Sequence, residues 1–86
     1  MYFVYIIFST SHDRYYIGQT QDFDDRIVRH NSGYEKSTSP YRPWILKCLI
    51  VKATRSEAML LEKKLKNLNR QRLELFIEKY GCRDEA

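Results

Sequence analysis

The stretch FVYIIFSTSHDRYYIG, residues 3–18, decides the fold. Residues 1–8 and 14–19 are β-branched and aromatic, and the polar run Ser9-Thr10-Ser11-His12-Asp13 divides them, which is the pattern of two strands joined by a turn. Centred on Thr10 and Ser11, the hairpin would set Tyr5 opposite Tyr16, Phe3 opposite Gly18 and Ile7 opposite Arg14. Alternation then gives one face to Tyr2, Val4, Ile6, Phe8, Tyr15 and Ile17, almost wholly apolar and therefore core. The other face carries two tyrosines, an arginine and a glycine that leaves room for another backbone. A cross-strand tyrosine pair can simply stabilise a hairpin, by roughly 0.2–1 kcal/mol. Whether this pair does more depends on what the rest of the chain brings to it.

Outward from the hairpin, residues 22–30 read as a short helix, with Asp22 as N-cap, Asp25 in the first turn and Asn31-Ser32-Gly33 as the stop. A polar loop follows over 33–43, and 44–52 reads as a third strand behind Pro43. Thr54-Arg55-Ser56-Glu57 has the form of a capping box that opens a helix to about Leu68. Leu73, Phe76, Ile77 and Tyr80, spaced i, i+3, i+4, i+7 ahead of Gly81, mark a last amphipathic helix. The order ββαβαα predicts an α+β fold: a small three-stranded antiparallel sheet flanked by helices, as one domain over 1–86.

Composition narrows the partner. Fifteen lysines and arginines against eleven acids give a net charge of +4, which suits a polyanion such as nucleic acid. Cys48 and Cys82 match no metal or redox spacing and read as reduced thiols of a cytoplasmic protein. The apolar start is too short to span a bilayer and lacks the basic leader of a targeting segment, so no membrane is expected.

Three further positions stand out. Arg26 and His30 are spaced i, i+4 and project together at the edge of the stripe formed by Phe23 and Ile27. Glu62 falls inside the apolar stripe Ala58, Leu61, Leu65 and Leu68, where a carboxylate is unfavourable unless it is paired or binds a cation. Glu57 needs no such account, because the capping box employs it.

Taken in order, these residues resemble the GIY-YIG domain of structure-specific and homing endonucleases. They come nearest to its short stand-alone members, related to the nuclease domain of the excision-repair incision subunit. Phe3-Val4-Tyr5 stands at the first triplet, Tyr16-Ile17-Gly18 at the second, and ten residues separate Tyr5 from Tyr16. Arg26 stands at the helix arginine, His30 at the residue one turn later, and Glu62 at the glutamate that closes the Ser56-Glu57-Ala58 segment. Three departures are Phe3, where many members have glycine, Gln19, where several active nucleases have lysine, and the asparagine that some members place after the glutamate, for which Asn67 and Asn69 are candidates by proximity alone.

The resemblance implies a metal-dependent endonuclease acting on structured or branched DNA. Its implied catalytic residues are Tyr5, Tyr16, Arg26, His30 and Glu62. Glu62 would hold one Mg²⁺ or Mn²⁺ and Arg26 would contact the scissile phosphate. Tyr5 or Tyr16 would position or deprotonate the water, provided nearby cations depress the phenol, and His30 is the other candidate base. Arg14, Arg29, Lys36, Arg42, Lys63 and Lys66, together with Lys64, Arg70 and Arg72, are candidates for backbone phosphates, and the 33–43 loop for a substrate flap. The rivals are a non-catalytic nucleic-acid-binding module on the same fold, and a nuclease that needs a protein partner to find its substrate.

Overall fold

The computed structural model describes residues 1–81, so Cys82 lies outside the described residues. Strands β1 (Tyr2–Ser9), β2 (Arg14–Thr20) and β3 (Trp44–Lys52) form an antiparallel sheet in the order β2-β1-β3. Helices α1 (Phe23–Ser32), α2 (Arg55–Lys66) and α3 (Arg70–Tyr80) flank it, with a single 3-10 turn at Ser39–Tyr41. The chain is therefore α+β in the order ββαβαα.

The hairpin register differs from the symmetric expectation. Tyr5 pairs with Gly18, Ile7 with Tyr16 and Phe3 with Thr20. The cause is the turn, which occupies four residues rather than two. Ser9 Oγ accepts the His12 N–H at 3.2 Å, and Asp13 takes the left-handed region at φ 53°. Two extra loop residues shift every partner by two, and an even shift leaves each side chain on its predicted face.

Both faces, however, are core. Val4, Ile6 and Ile17 pack with Cys48, Ala58, Leu65 and Leu73 beneath α2 and α3. Tyr5 and Ile7 pack on the other face with Trp44, Phe23 and Ile27 beneath α1. The central strand is consequently buried on both sides from Val4 to Ile7, and a β-bulge on β3 sets Leu46 rather than Lys47 against Ile7. Among the described residues, no helix is long and apolar enough to cross a membrane.

The helix ends follow local chemistry. Asp22 accepts the Asp25 N–H at 3.1 Å and begins α1, and Gly33 ends it at φ 85°. The Thr54–Glu57 capping box is complete at α2, with each side chain bonded to the other residue's backbone N–H. Asn69 caps α3 through the Arg72 N–H at 2.9 Å.

Candidate active site

The site is assembled around a gap in β2. Gly18 carries no side chain, and a Cβ placed there would lie 2.5 Å from the Tyr5 hydroxyl oxygen. The Tyr5 ring occupies that space, so the glycine of the second triplet is the floor on which the tyrosine of the first one lies. Tyr16 lies on the same face with its ring centroid 6.4 Å from that of Tyr5. From above, α1 lowers Phe23 and His30 onto the pair, with centroids 5.4 and 5.8 Å from Tyr5.

His30 is 2% exposed and sits inside the aromatic cluster, not at the helix edge that the wheel suggested. Its Nε2 lies 2.9 Å from the Tyr5 hydroxyl and its Nδ1 lies 2.8 Å from Thr38 Oγ1. The chain of bonds has a direction. Thr38 donates to the Glu35 carbonyl at 3.4 Å, an atom that can only accept, so Thr38 Oγ1 accepts from His30 Nδ1–H. His30 Nε2 is then the acceptor, and the Tyr5 O–H donates to it. Burial lowers the His30 pKa below its ordinary value, with Glu35 opposing that shift and Arg26 and Arg29 adding to it. Burial raises Tyr5, and neighbouring Tyr16 adds to the rise, while the Arg26 guanidinium beside it pulls the other way without prevailing. The depression that a free tyrosinate base would require is therefore the reverse of what its surroundings impose.

Arg26 lies one helical turn before His30. Its Nε is buried with no hydrogen-bond partner, and Arg26 forms no ion pair with a carboxylate among the described residues. Glu62 lies on α2, which covers the opposite face, yet its charge still reaches the Tyr5 phenol. It is not the unpaired carboxylate that the apolar stripe suggested. Lys66, one turn on, meets it at 2.7 Å, and its side chain stays 18% exposed. No group of three or more His, Cys, Asp or Glu side chains is placed to hold a metal among the described residues.

The basic candidates separate. Arg14 lies 4.4 Å above the Tyr41 ring, and Lys36 and Arg42 are exposed on the 33–43 loop, Arg42 Nε donating to the Ser39 carbonyl at 2.9 Å. Arg29 is engaged with Glu35 at 3.6 Å. Lys63 and Lys66 border a groove beside Glu62. Arg70 is spoken for by Asp13 at 2.5 Å and Glu74 at 3.1 Å, and ties α3 to the hairpin turn. The loop expected to act as a flap is held at its middle: Thr38 is buried, and Trp44 Nε1 donates to its carbonyl at 3.0 Å. Thr38 is the site residue that sequence reading missed. Its one signal was indirect, since a buried histidine needs a second partner.

Two strand triplets facing an arginine and a histidine of the next helix, with a glutamate on the helix after that, define a class. The family model for the GIY-YIG catalytic domain matches residues 1–80, and the chain belongs to the GIY-YIG family, whose domains act on nucleic acid, generally as nucleases. Within that class it is similar to UPF0213 proteins. The UPF0213 protein of Bacillus pumilus (strain SAFR-032) is 33% identical over 75 residues, spanning 83% of this chain and 74% of that one. The solution NMR structure of the UPF0213 protein from Bacillus halodurans aligns with a TM-score of 0.62 at 32% identity, over 94% of this chain and 87% of that one.

Proposed function

We propose that the protein is a metal-dependent endonuclease that hydrolyses phosphodiester bonds in structured or branched DNA. The observation that carries this reading is Arg26, a partly buried guanidinium beside the Tyr5 hydroxyl with no carboxylate partner among the described residues. A fold seldom leaves such a group without an anion, and a phosphate would supply one with matching fork geometry.

The chemistry follows from the hydrogen-bond chain. The Tyr5 proton is directed at His30, so a water admitted beside the phenol oxygen would meet a lone pair there and not a hydrogen. As that water attacks phosphorus and the P–O bond to the leaving oxygen breaks, Tyr5 takes the water's proton and passes its own to His30 Nε2. Tyr5 then never has to exist as a free phenolate, which its surroundings disfavour. Thr38 keeps His30 in the tautomer that can accept. Arg26 stabilises the charge developing on the phosphate oxygens, and Tyr16 walls the water in.

Glu62 is the residue that would hold a cation. A single carboxylate fits Mg²⁺ or Mn²⁺, because Mg²⁺ keeps several waters and binds through one or two carboxylates plus substrate phosphate. When bound, the ion would supply charge stabilisation at the phosphate and the leaving oxygen. The rise in Tyr5 pKa favours the rival, a non-catalytic binding module, if Tyr5 must act alone; the relay through His30 removes that requirement. A cytoplasmic location belongs to the same proposal and rests on composition.

The test is a panel of flap, splayed-arm and four-way DNA junctions incubated with and without Mg²⁺ or Mn²⁺. Wild type should cleave at least one only with the cation. Arg26→Met and Glu62→Gln should melt close to wild type and lose cleavage. Absence of wild-type cleavage across the panel would overturn the proposal, as would wild-type rates from Glu62→Gln.

A further inference from the structure

A groove of about 750 Å³ opens between β2 and α2, beside Glu62. Its volume lies inside the range of about 300–1,000 Å³ usual for small-molecule sites. The inward stripe of α2 is formed by Ala58, Leu61 and Leu65, so Met59 and Leu60 lie off it, at 51% and 70% exposure. These two side chains give the groove an apolar lining that serves nothing inside the domain. Lys63 and Lys66 border it, Lys66 while paired at 2.7 Å with the Glu62 carboxylate that also lines it, and Gln19 and Asn67 complete the lining.

Each feature narrows the occupant. A bare phosphate would call for the lysines but not for an apolar lining, and an apolar peptide would call for the lining but not for two lysines. A nucleotide uses all of them: its base face lies on aliphatic and thioether surface, its edge meets carboxamides that can both donate and accept, and its phosphate meets ammonium groups. Within a helix a paired base is stacked on both sides, so away from helix ends only an unpaired base offers a free face.

We propose that this groove binds an unpaired nucleobase of the nucleic-acid substrate, with the adjoining phosphate on Lys63 and Lys66. The inference rests on the nuclease reading and sharpens it. The substrate class becomes nucleic acid with a single-stranded segment beside the bond that is cut. The Glu62 end of the groove then sets how far from the unpaired base that bond can lie.

Binding measured without any divalent cation separates the two claims. Fluorescence anisotropy would compare a labelled single-stranded oligonucleotide with the blunt duplex of the same sequence, for wild type and for Met59→Ser/Leu60→Ser. Both positions are exposed, and thermal melting checks that the variant is folded. Because the apolar surface that a base would cover on Met59 and Leu60, on the order of 55 Å² at about 25 cal/mol per Å², is worth about tenfold in affinity, the variant should bind the single strand about tenfold more weakly and the duplex within about twofold of wild type. Unchanged single-strand affinity, or equal losses on both ligands, would overturn the inference while leaving any cleavage by wild type to stand. A variant that instead shifts the protein from dimer to monomer in sedimentation would also overturn it, because the groove would then seat a second copy. A protein that cleaves nothing but shows the strand-selective loss would overturn the nuclease reading alone.

Discussion

Gly18→Ala adds one methyl group where the sheet has no room for it. The new Cβ would lie 2.5 Å from the Tyr5 hydroxyl oxygen and 2.6 Å from its Cζ. Gly18 lies in a strand and, unlike Gly33, does not have a positive φ, so the substitution strains contacts and not the backbone. Tyr5 cannot swing clear, because its ring is 1% exposed and its hydroxyl is bonded to His30. Overpacking of this kind costs about 1–3 kcal/mol, and losing the Tyr5–His30 bond a further 0.5–1.5 or so, for a total of about 2–4 kcal/mol. At about 4–8 °C per kcal/mol for a domain of this size, the melting temperature should fall by about 8–32 °C. The assay is thermal unfolding of Gly18→Ala in two backgrounds, wild type and Tyr5→Leu, whose shorter side chain does not reach over residue 18. In the second background the alanine should cost less than about 0.5 kcal/mol, leaving a coupling energy close to the whole effect. Equal costs in both backgrounds would refute the view that the glycine exists to seat the tyrosine.

Other outcomes follow from the same contacts. His30 is buried with a pKa below its ordinary 6.5, so between the two values the unfolded chain binds a proton that the folded chain does not. Stability is thus complete above about pH 6.5 and falls as pH drops through the window beneath it; His30→Gln should flatten that part of a pH–melting curve, and the acid limb of any cleavage profile should lie below 6.5 as well. Thr38→Val removes the acceptor of the His30 Nδ1–H and should cost about 1–3 kcal/mol in chemical denaturation while lowering activity. Glu57→Ala breaks a capping box remote from the chemistry and should cost about 1 kcal/mol with cleavage retained, whereas Glu62→Gln loses only an i, i+4 pair worth about 0.3–0.5 kcal/mol and should lose cleavage. Because a net charge of +4 and exposed basic side chains favour phosphate over base contacts, DNA affinity should fall steeply between about 50 and roughly 200 mM salt in titrations; a flat response would count against phosphate-dominated contacts.

What the sequence disclosed was what short-range periodicity can carry. The two faces of the hairpin, the Asp22 and Gly33 ends of α1 and the Thr54–Glu57 box are all set by residues within a few positions of one another. The ordered set from Tyr5 to Glu62 was enough to place the chain in its family. The hairpin register was not legible, because nothing in Ser9 to Asp13 declares that the turn takes four residues rather than two. Nor was the second core: a face carrying two tyrosines and an arginine reads as wet until α1 and Trp44 are folded onto it. Arg70 is instructive in the other direction. Its partner Asp13 is 57 residues away, so a solvated phosphate contact was the natural expectation and an intramolecular tie was invisible. The Glu62–Lys66 pair has the legible i, i+4 spacing, but a carboxylate inside an apolar stripe reads equally as unpaired.

The division of labour between Tyr5 and His30 on one side and Arg26 and Glu62 on the other bears on how members of this family should be compared. Tyr5 and His30 are structural members of the second core, bonded to each other and almost wholly buried. A descendant that had abandoned catalysis would still be held to them by the need to fold, so their presence in a sequence says little about activity. Arg26 leaves a buried nitrogen unsatisfied, and Glu62 contributes one half-buried i, i+4 ion pair, so neither adds much to stability. Under relaxed selection these two would be the first to drift. If the proposed nuclease function holds, a pair of positions that the fold could readily give up is therefore the better marker of a working enzyme than the triplets from which the family takes its name.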